Sequence, residues 1–512
     1  MLRWAGNWLR PYLYNMHRRA FLSLTAAAAV AGRAAPSKPN ILLLMADQFR
    51  GDALGCDGNA QIHTPHLDGL AREGARFRCA YSSTPTCTPA RAALLTGMSP
   101  WRHGLLGYGP VAERYAVELP RLLKSAGYFT AVIGKCHYTP QRNTHGFDEA
   151  LLDESGREES IDFRSDYRSW FWSVAPQANP DQTAIGWNDY RAAPYALPEE
   201  LHPTTWTGAT AAKFLADYQR PQPFFLKVSF ERPHSPYDPP QRWWKYYEGA
   251  DLPKAQVGDW AAQRYAPRSG AGYEIWHSDL GAEQVRVSRQ GYYGSVSHVD
   301  EQIGRVIEAL EKRGWLEETL IVFVADHGDM TGDQHLWRKS YAYEPSARIP
   351  MLLRWPAGLV GTPRNAVRTE PVEIRDILPT FLDAAGARAP ETALDGRSLL
   401  DVLRGSKDWR SHIDLEHDVC YSPANHWNAL TDGRMKYIFH ARDGEEQLFD
   451  LAQDRHELQN LAAESAYSGT LSEWRERLVN HLAVRGERFV KNGKLALRPD
   501  SYLYSPNYPR RS

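Results

Sequence analysis

A cysteine stands at the start of a predicted helix, in a stretch that offers several polar groups to an anion. The stretch runs TPTCTPARAALLTG from Thr84 to Gly97. Thr86 or Cys87 is placed to cap the helix, and Pro89 suits its first turn. Arg91 lies one turn further along. Helix N-termini and guanidinium groups both attract negative charge. The sequence therefore predicts an anion pocket around Cys87, where a thiolate could act as a nucleophile.

Two predicted buried strands each end in an aspartate that is followed by a second polar residue. One apolar run stops at Asp47 and Gln48, and a later one stops at Asp326 and His327. Ligands of open α/β sheets bind outside the carboxyl ends of the strands, so we expect the two pairs to share one rim. Oxygen ligands with one imidazole describe a site for a divalent metal. Either aspartate alone would more often be a turn residue, and their joint occurrence favours the metal site.

The elements that must position these residues alternate along the chain. Between two predicted strands, Val299, Ile303, Val306 and Leu310 form one apolar stripe of a helix. Strand and helix alternation indicates a doubly wound α/β layer, in which helices sandwich a mixed, mostly parallel sheet. Strands are predicted near 41–46, 78–82, 129–133, 223–230 and 320–326, and helices near 66–77, 119–126 and 371–386, besides the one at Cys87.

The sequence pattern changes after about residue 390. Beyond the linker ARAPETALDGRSL, short strands are predicted at 435–441 and 446–451, followed by a helix from about 471 to 484. We therefore predict a catalytic domain over residues 38–390. A smaller C-terminal α+β subdomain over residues 400–512 would carry a short antiparallel sheet and an extended tail.

The amino terminus is typical of an export signal. From Met16, which could be the true start, the pair Arg18-Arg19 precedes an apolar stretch from Phe21 to Val30. This stretch is shorter than the roughly 20 apolar residues that span a bilayer, and it fits a cleavable signal over residues 1–35. The arginine pair resembles a twin-arginine signal, with a Sec signal or a disordered arm as alternatives. We expect an exported, periplasmic or extracellular protein whose mature form has no membrane span.

Composition argues against several classes of protein. The formal net charge is −1 and the sequence pI is near 7.0, so there is no basic field to hold nucleic acid. The five cysteines form neither a CxxC pair nor a zinc-ligand spacing, which argues against a disulfide framework and a structural zinc site. Four of them are expected to be small buried hydrophobes, namely Cys56, Cys79, Cys136 and Cys420.

The segment around Cys87 resembles the signature of the sulfatase family, in CTPAR at 87–91 and LLTG at 94–97. The resemblance implies an alkaline-phosphatase-like fold and hydrolysis of sulfate esters. It extends over nearly the whole chain, through segments similar to other family landmarks: GKCH at 134–137, ERPHSPYDPP at 231–240, ADHGDMTGDQHLWRKSYAYEPSARIPMLLRWP at 325–356, EIRDILPTFLDAAG at 373–386 and LFDLAQDRHELQNLA at 448–462.

In that family the cysteine is oxidised to formylglycine (3-oxoalanine), so the resemblance implies the same change at Cys87. Hydrated formylglycine carries two hydroxyl groups on one carbon. One hydroxyl attacks sulfur, and the other, once deprotonated, expels sulfate as the carbonyl forms again. A serine in this place would leave a stable sulfate ester. The implied partner in biosynthesis is a formylglycine-generating or sulfatase-maturating enzyme.

The resemblance also implies which residues form the site. The metal ligands would be Asp47, Gln48, Cys87, Asp326 and His327. The catalytic residues would be Cys87, Arg91, Lys135, His137, His234 and Lys339.

Each of these catalytic residues has an implied role. Arg91 would orient and stabilise the hydrate, while Lys135 and Lys339 would bind sulfate oxygens. His137 would be the base that releases sulfate, and His234 would donate a proton to the departing alcohol.

One departure from the family pattern concerns the metal. Many sulfatases carry two adjacent aspartates after the first strand and an Asp-Asn pair after the later one, where this chain has Asp47-Gln48 and Asp326-His327. The amide removes one negative charge, and imidazole is a softer ligand than an amide oxygen. Calcium is the first choice for the single divalent cation, with manganese or magnesium as alternatives. The combination resembles choline-sulfatase and phosphonate monoester hydrolase relatives, which leaves the central atom open.

Three functions remain open on the sequence. The first is an exported sulfatase acting on a sulfated carbohydrate or a small organic or aryl sulfate. The second is a phosphonate monoester or phosphodiester hydrolase with the same nucleophile. The third is a non-catalytic sugar-binding protein on a sulfatase scaffold, which the intact set of site residues argues against. Tryptophans of the middle segment could face a sugar or aryl group, and Asp333, His335, Trp337 and Arg338 could contact the leaving group.

Overall fold

A computed structural model describes residues 38–154, 157, 160, 162–265, 272, 275–390, 394–422 and 425–510. The export signal predicted for residues 1–35 lies outside these ranges. Within them, no helix combines the length and the apolar character that a membrane crossing requires.

The described strands form one large sheet, one four-stranded sheet and two small pairs. They are β1 Asn40–Asp47, β2 Ala75–Phe77, β3 Ala80–Tyr81, β4 Phe129–Gly134, β5 Glu149–Leu152, β6 Phe224–Pro233, β7 Thr319–Ala325, β8 Met351–Arg354, β9 Ala366–Arg368, β10 Val372–Glu373, β11 Ile413–His417, β12 Trp427–Thr431, β13 Met435–His440, β14 Glu446–Asp450, β15 Val490–Lys491 and β16 Lys494–Leu495.

In chain order, most α-helices lie between strands of the large sheet. They are α1 Pro65–Arg72, α2 Cys87–Thr96, α3 Pro100–His103, α4 Leu119–Ser125, α5 Asp166–Val174, α6 Pro203–Asp217, α7 Gln241–Tyr246, α8 Ala261–Arg264, α9 Ala282–Lys312, α10 Glu344–Ala347, α11 Ile377–Ala384, α12 Leu399–Leu403 and α13 Ser468–Ala483. The helix predicted near 371–386 is thus confined to α11, because β10 and a short 3-10 turn precede it.

The large sheet has the strand order β5-β4-β6-β1-β7-β8-β2-β9. Strands β5, β4, β6, β1 and β7 are parallel, and β8 is antiparallel to β7 and β2. Every residue of β1, β6 and β7 is buried, which requires helices on both faces of the sheet. The predicted mixed, mostly parallel sheet between helices is confirmed.

Two groups of helices cover opposite faces of this sheet. Phe224 and Phe225 are neighbours on β6, so their side chains point to opposite faces. The Phe224 ring lies 5.5 Å from the ring of Tyr218, after α6, and 5.9 Å from that of Trp315, after α9. The Phe225 ring instead lies 5.7 Å from that of Phe381 in α11. Helices α6 and α9 also contact each other, and α2 and α4 contact α11.

The parallel strands bring their carboxyl ends to one edge of the sheet. Ala46 of β1 pairs with Ala325 of β7, and Gly134 of β4 pairs with Ser229 of β6. The four strands therefore end within a few residues of one another. The polar residues at or just after these ends are Asp47, Lys135, His234 and Asp326.

The first helix is shorter than the sequence predicts. The expected helix near 66–77 is wrong beyond Arg72, because residues Ala75–Phe77 form β2. A Cβ atom at Gly74 would lie 2.1 Å from the carbonyl oxygen of Leu353 in β8. Only glycine allows this approach, so the chain joins the sheet where the apolar spacing alone suggested another helical turn.

The C-terminal part carries a four-stranded antiparallel sheet in the order β11-β12-β13-β14. One face packs against the loop after β7, where Ile413 and Trp427 join Leu336 and Tyr341 in a buried cluster. The other face packs against α13, including Trp474. The predicted antiparallel C-terminal subdomain is confirmed, while its boundary at residues 390–400 stays a prediction.

Lys436 of β13 anchors this sheet to the catalytic part of the chain. Its fully buried ammonium group donates to the Ala342 carbonyl at 2.8 Å, to Glu344 Oε1 at 2.9 Å and to Glu457 Oε1 at 2.8 Å. All three donors of the ammonium are therefore used. Lys436→Met should lower the free energy of unfolding by about 3–5 kcal/mol, because it leaves buried carboxylates without their cation. Urea denaturation followed by tryptophan fluorescence measures this loss.

Lys213 provides the matched control for Lys436. It is exposed on α6 and pairs with Asp217 one turn further along. Lys213→Met should change the free energy of unfolding by less than about 0.5 kcal/mol, because exposed pairs of this kind contribute little. Equal losses for the two substitutions would contradict the anchoring role of Lys436.

Candidate active site

The carboxyl edge of the large sheet gathers the residues that the sequence singled out. Strand ends supply some of them, α2 supplies two, and the loop after β7 supplies Lys339. All of them are buried, with no side chain more than 5 % exposed: Asp47, Gln48, Cys87, Arg91, Lys135, His137, His234, Asp326, His327 and Lys339.

Helix α2 begins at Cys87. Thr86 is its N-cap, with the extended backbone (φ −150°, ψ 146°) that precedes a helix. The Thr86 hydroxyl group contacts Ser340 Oγ at 2.7 Å and His417 Nε2 at 2.6 Å instead of capping the helix. The start of α2 is thereby fixed to both the loop after β7 and the C-terminal sheet.

The Arg91 guanidinium group joins the two strand-end aspartates. Nη2 lies 3.2 Å from Asp47 Oδ2, and Nε donates to Asp326 Oδ2 at 3.0 Å. Nη1 donates to the Lys135 carbonyl at 2.8 Å and to Ser229 Oγ at 3.2 Å. The Lys135 ammonium group also pairs with Asp47 Oδ2. Burial opposes ionisation of Asp47, but Lys135 and the neighbouring cations hold its pKa well below the ordinary value.

The other oxygens of the same aspartates face Cys87 and His327. Asp47 Oδ1 lies 3.7 Å from Cys87 Sγ and 3.6 Å from His327 Nε2. Asp326 Oδ1 lies 3.7 Å from His327 Nε2, and Cys87 Sγ lies 3.1 Å from it. One ligand atom from each of these four residues therefore lies within 4.8 Å of the other three.

This donor set fits a divalent cation. His327 Nδ1 lies 2.9 Å from the Gly328 carbonyl oxygen, so Nδ1 carries the proton and Nε2 offers a lone pair to the cluster. Both aspartates direct one oxygen to the same point, while Arg91 binds the other. The two carboxylate oxygens are donors that calcium, manganese and magnesium prefer, and the imidazole nitrogen adds a softer donor.

Gln48 reaches the cluster through its backbone. Its N–H donates to Asp326 Oδ1 at 3.1 Å, from a backbone conformation with φ 64°. Its side chain lies between Asp329 and Lys339. Nε2 donates to Asp329 Oδ2 at 2.5 Å, and Oε1 accepts from Lys339 Nζ at 3.0 Å. Asp329 thus orients the amide, and the ligand role of Gln48 stays a prediction.

Lys339 connects Cys87 with His234. Its ammonium group donates to Cys87 Sγ at 3.4 Å, to Gln48 Oε1 at 3.0 Å and to His234 Nε2 at 2.7 Å. His234 Nδ1 donates to the Ser235 carbonyl at 2.8 Å, so Nε2 is the acceptor. Burial and Lys339 hold the pKa of His234 well below its ordinary value. The imidazole is therefore neutral, and the shared proton lies on Lys339.

The charges around Cys87 favour its anionic form. Burial and Asp47 raise the pKa of the thiol, but Lys339, His327 and Lys135 outweigh them, and the pKa is lowered. An anion at this position is stabilised by the Lys339 and Lys135 ammonium groups, whether it is a thiolate or a group bound there. The pocket is therefore suited to a negatively charged substrate group.

His137 lies against Arg157. Glu154 accepts from the His137 N–H at 2.9 Å, and the Arg157 guanidinium group donates to His137 Nε2. Burial, Arg157 and Lys135 hold the pKa of His137 well below its ordinary value. The neutral ring therefore carries its proton on Nδ1, which has no hydrogen-bond partner among the described residues.

Trp187 covers the pocket beside Lys135. Its ring stacks on that of His234 with centroids 4.2 Å apart, and Lys135 Nζ lies 4.5 Å from the Trp187 ring centroid. The Arg157 guanidinium group lies 5.1 Å from the same ring. The sequence placed Trp187 among several tryptophans without distinguishing it, and nothing in its local pattern reveals this contact.

The residues after the metal pair that could contact the leaving group lie in different places. Asp333 is held in buried ion pairs with two arginines. Trp337 packs in a buried apolar cluster, and His335 borders a separate cavity of about 690 Å³. Arg338 stacks on Tyr421, with its guanidinium carbon 5.2 Å from the ring centroid.

Comparisons with known proteins agree with this geometry. The Sulfatase family model matches residues 39–387, and a model described as N-sulphoglucosamine sulphohydrolase, C-terminal, matches residues 332–483. An arylsulfatase of Clostridium perfringens (strain 13 / Type A) is 38% identical over 472 residues, which cover 90% of this chain and 97% of that protein. A choline-sulfatase of Rhizobium meliloti (strain 1021) is 32% identical over 446 residues, which cover 83% of this chain and 82% of that protein.

The fold is also shared with solved structures. The crystal structure of the phosphonate monoester hydrolase of Agrobacterium radiobacter superposes with a TM-score of 0.74 at 26% identity, covering 87% of this chain and 96% of that one. The predicted alkaline-phosphatase-like fold is confirmed. Because the family match extends over more than half of the chain and the relatives align along nearly all of it, this chain belongs to the sulfatase family and is a sulfuric ester hydrolase.

Proposed function

We propose that this sulfatase hydrolyses its ester through an aldehyde formed from Cys87, the formylglycine (3-oxoalanine) of its family. The observation that carries the proposal is the position of Cys87, at a helix start, 3.1 Å from His327 Nε2 and 3.4 Å from the Lys339 ammonium group. Hydrated, the aldehyde supplies one hydroxyl that can displace the alcohol from sulfur and a second that can release sulfate. An unmodified thiol offers a single group and no such release.

One divalent cation fits beside residue 87. Arg91 and Lys135 hold the Oδ2 atoms of the aspartates, and Oδ1 of Asp47 and of Asp326 faces Cys87 and His327, where it can bind the cation. The cation would supply Lewis-acid charge against sulfate oxygens. Calcium is our first choice because carboxylate oxygens are hard ligands, and an oxygen at position 87 would suit calcium better than sulfur does. The proposed ligands are residue 87, Asp47, Gln48, Asp326 and His327.

Three cations of the chain prepare the pocket for the sulfate group. Lys339 donates to the atom of residue 87 where the attacking oxygen would lie, and it can bind a sulfate oxygen from there. Lys135 adds a second ammonium group beside Asp47. Arg91 directs all of its donor nitrogens to aspartates, a carbonyl and a hydroxyl, so we assign it to holding the metal ligands in place.

The leaving alcohol needs a proton, and the Lys339–His234 pair can supply it because the two groups share one at 2.7 Å. His234→Gln should lower kcat/KM by about 100- to 10,000-fold for the sulfate ester of a poor leaving group, such as a sugar alcohol. The ester of 4-nitrophenol should lose less than about tenfold, because its phenolate departs without a proton. Initial rates on both esters measure the difference.

His103 is the matched control for His234. It is a fully buried histidine of α3, and burial lowers its pKa to about 3, so it is neutral as well. His103→Gln should leave the ratio of the two rates unchanged. If His234→Gln slows both esters equally, His234 is a structural partner of Lys339 and not the proton donor.

His137 is proposed to act on the oxygens opposite the leaving group. In the arrangement with Arg157, its free Nδ1 is a hydrogen-bond donor and can bind an oxyanion. Its role as the base that releases sulfate requires Nε2 to separate from Arg157 first. The supporting observation is that Lys135, Arg91 and Asp47 are among the charges that act on the His137 ring.

The proposed function is tested on protein made together with a formylglycine-generating enzyme. Peptide mass spectrometry across residues 84–97 should find the aldehyde, and ion chromatography should find inorganic sulfate released from an aryl sulfate. An aldehyde-bearing protein that releases no sulfate from aryl or saccharide esters would overturn the proposed activity. Sulfate release by a protein that retains the thiol would overturn the aldehyde alone.

A phosphonate monoester hydrolase is the second candidate. The likeness to the Agrobacterium enzyme, at a TM-score of 0.74, favours it. Phenyl sulfate, phenyl phosphonate and a phenyl phosphodiester share one leaving group, so their kcat/KM values isolate the preference for the central atom. We expect the sulfate to be fastest. A phosphonate or phosphodiester that reacts faster would make the second candidate the preferred activity.

For the substrate we propose a chemical class, and for the location a cellular compartment. A sulfated small molecule or saccharide fits the pocket, in line with relatives named arylsulfatase and choline-sulfatase. The twin arginine at Arg18-Arg19 supports export in folded form to the periplasm or the cell exterior. Replacing both arginines by lysine and fractionating the cells tests this route, since retention in the cytoplasm is the expected result.

A further inference from the structure

Arg338 is a buried cation for which the proposed mechanism has no role. Its side chain is only 7% exposed and directly precedes Lys339 in the chain. Nε and Nη2 have no hydrogen-bond partner, and no carboxylate pairs with the guanidinium group in the described part of the chain. Leaving buried donors of a charged group unpaired costs more than about 1–3 kcal/mol, so these two donors are available to a ligand or to ordered water.

Among the residues that the structure describes, no carboxylate forms an ion pair with Arg338. Its electrostatic neighbours are neutral groups whose pKa burial raises above the ordinary value: Tyr237, Tyr341, Tyr421 and the Cys420 thiol. Two other buried arginines differ in this respect. Arg289 and Arg375 each lie within 3.0 Å of a carboxylate. Within the described ranges, Arg338 is therefore a positive group without a paired anion.

The backbone around Arg338 is held in an uncommon conformation. Arg338 has φ 67°, Ser340 has φ 78° and Tyr421 has φ 61°. Left-handed backbone at such residues costs roughly 1–2 kcal/mol each, and it persists where the surrounding structure requires it. The result is that Arg338 stacks on Tyr421, while Lys339 points to Cys87.

Tyr421 links Arg338 to the catalytic pocket. Its phenol lies within electrostatic range of Lys339 and of Cys87. The ring of Trp276 stacks on that of Tyr421, with centroids 6.5 Å apart at 15°. One cation and two half-buried aromatic rings therefore form a stacked group that follows on from Lys339 of the sulfate pocket.

We infer that Arg338, stacked on Tyr421, is a second anion subsite that binds a negatively charged substituent on the leaving group. The inference rests on the proposed function and adds a substrate class to it. A guanidinium fork matches the two oxygens of a carboxylate or of a second sulfate, and the aromatic rings can pack against a sugar or aryl ring. The preferred substrates are then sulfate esters whose alcohol portion carries a further oxyanion.

The test compares two aryl sulfates that differ in charge. These are 3-sulfooxybenzoate, whose meta substituent is a carboxylate, and 3-sulfooxybenzamide, whose meta substituent is a neutral amide. A third ester, with a second sulfate in the same meta position, separates the two kinds of oxyanion. Arg338→Gln should lower kcat/KM for the charged esters by at least about tenfold, and for the neutral amide by less than about threefold. Arg338→Lys, which retains the charge and loses the fork, should fall between wild type and Arg338→Gln.

Arg404 is the matched control for Arg338. It follows α12, pairs with Asp383 and is partly exposed, so Arg404→Gln should leave both rates unchanged. A loss on Arg338→Gln that is the same for charged and neutral esters overturns the inference and leaves the proposed function intact. If wild-type protein bearing the aldehyde hydrolyses none of the esters, the proposed function fails and the substrate class fails with it.

Product binding provides a measurement that does not depend on turnover. Calorimetry should find that wild type binds 3-hydroxybenzoate at least about tenfold more tightly than 3-hydroxybenzamide, and that Arg338→Gln abolishes this difference. Equal binding of the two products by wild type overturns the inference, even if the Arg338→Gln protein does not fold.

Discussion

Cys87→Ala is expected to abolish sulfate release, with kcat lowered by at least about 10⁵-fold for every ester tested, because loss of a nucleophile leaves only binding and electrostatic stabilisation. The fold should remain intact. Alanine replaces a small buried side chain at the start of α2, and the Thr86 contacts that fix this helix do not involve Cys87. Ion chromatography of released sulfate and thermal denaturation measure the two effects separately.

Cys56→Ser is the control for Cys87→Ala. Cys56 is a half-buried thiol in another part of the fold, and its removal should leave sulfate release within about twofold of wild type. Residual activity of Cys87→Ala above about one thousandth of wild type would contradict the role of residue 87 as nucleophile. The same result would favour a direct attack by water on sulfur.

Cys87→Ser separates the two functions assigned to the hydrated aldehyde. A single hydroxyl at this position could accept the sulfuryl group but has no second hydroxyl to release it. We expect at most one equivalent of alcohol per protein molecule, with no inorganic sulfate, and a sulfate ester detectable at residue 87 by mass spectrometry. Continued turnover by Cys87→Ser would contradict the need for two hydroxyl groups.

The strand ends explain why much of the site could be predicted from sequence. Asp47 and Asp326 follow apolar runs that are buried along their whole length, and parallel pairing then brings the ends of β1 and β7 together. A local sequence pattern thus predicts that two residues far apart in the chain lie close together. The same reasoning placed Cys87 at a helix start, since Pro89 and the preceding threonine are local signals.

The contacts between loops could not be predicted in this way. Lys339 reaches Cys87, Gln48 and His234 only because the loop after β7 folds back through residues with left-handed backbone. The spacing of apolar residues predicts neither the path of this loop nor its left-handed residues. Glu154, which holds the His137 backbone, lies outside the family-like segments. Such residues act through tertiary position, and a single sequence carries no signal for that.

Replacement of a proposed metal ligand should cause the second large loss of activity. Asp326→Asn should lower kcat by about 1,000-fold, equivalent to about 4 kcal/mol of lost transition-state stabilisation, because the amide weakens both the cation site and the Arg91 contact. A second readout is independent of activity. Calcium should raise the melting temperature of wild type after treatment with a chelator, since it binds only the folded protein. This rise should be absent in Asp326→Asn.

Asp333→Asn distinguishes metal binding from the loss of a buried ion pair. Asp333 is as buried as the metal ligands and pairs with Arg50 and Arg289 at 2.8 and 2.7 Å, so its replacement should also reduce stability. Its melting temperature should nevertheless still rise with calcium. A calcium response retained by Asp326→Asn would contradict the proposed site, whereas a response to manganese or magnesium in place of calcium would change only the identity of the ion. Arg91 pairs with Oδ2 of Asp47 and of Asp326, and no cation of the described chain occupies the point that their Oδ1 atoms face. The calcium titration therefore tests whether these Oδ1 atoms bind the ion.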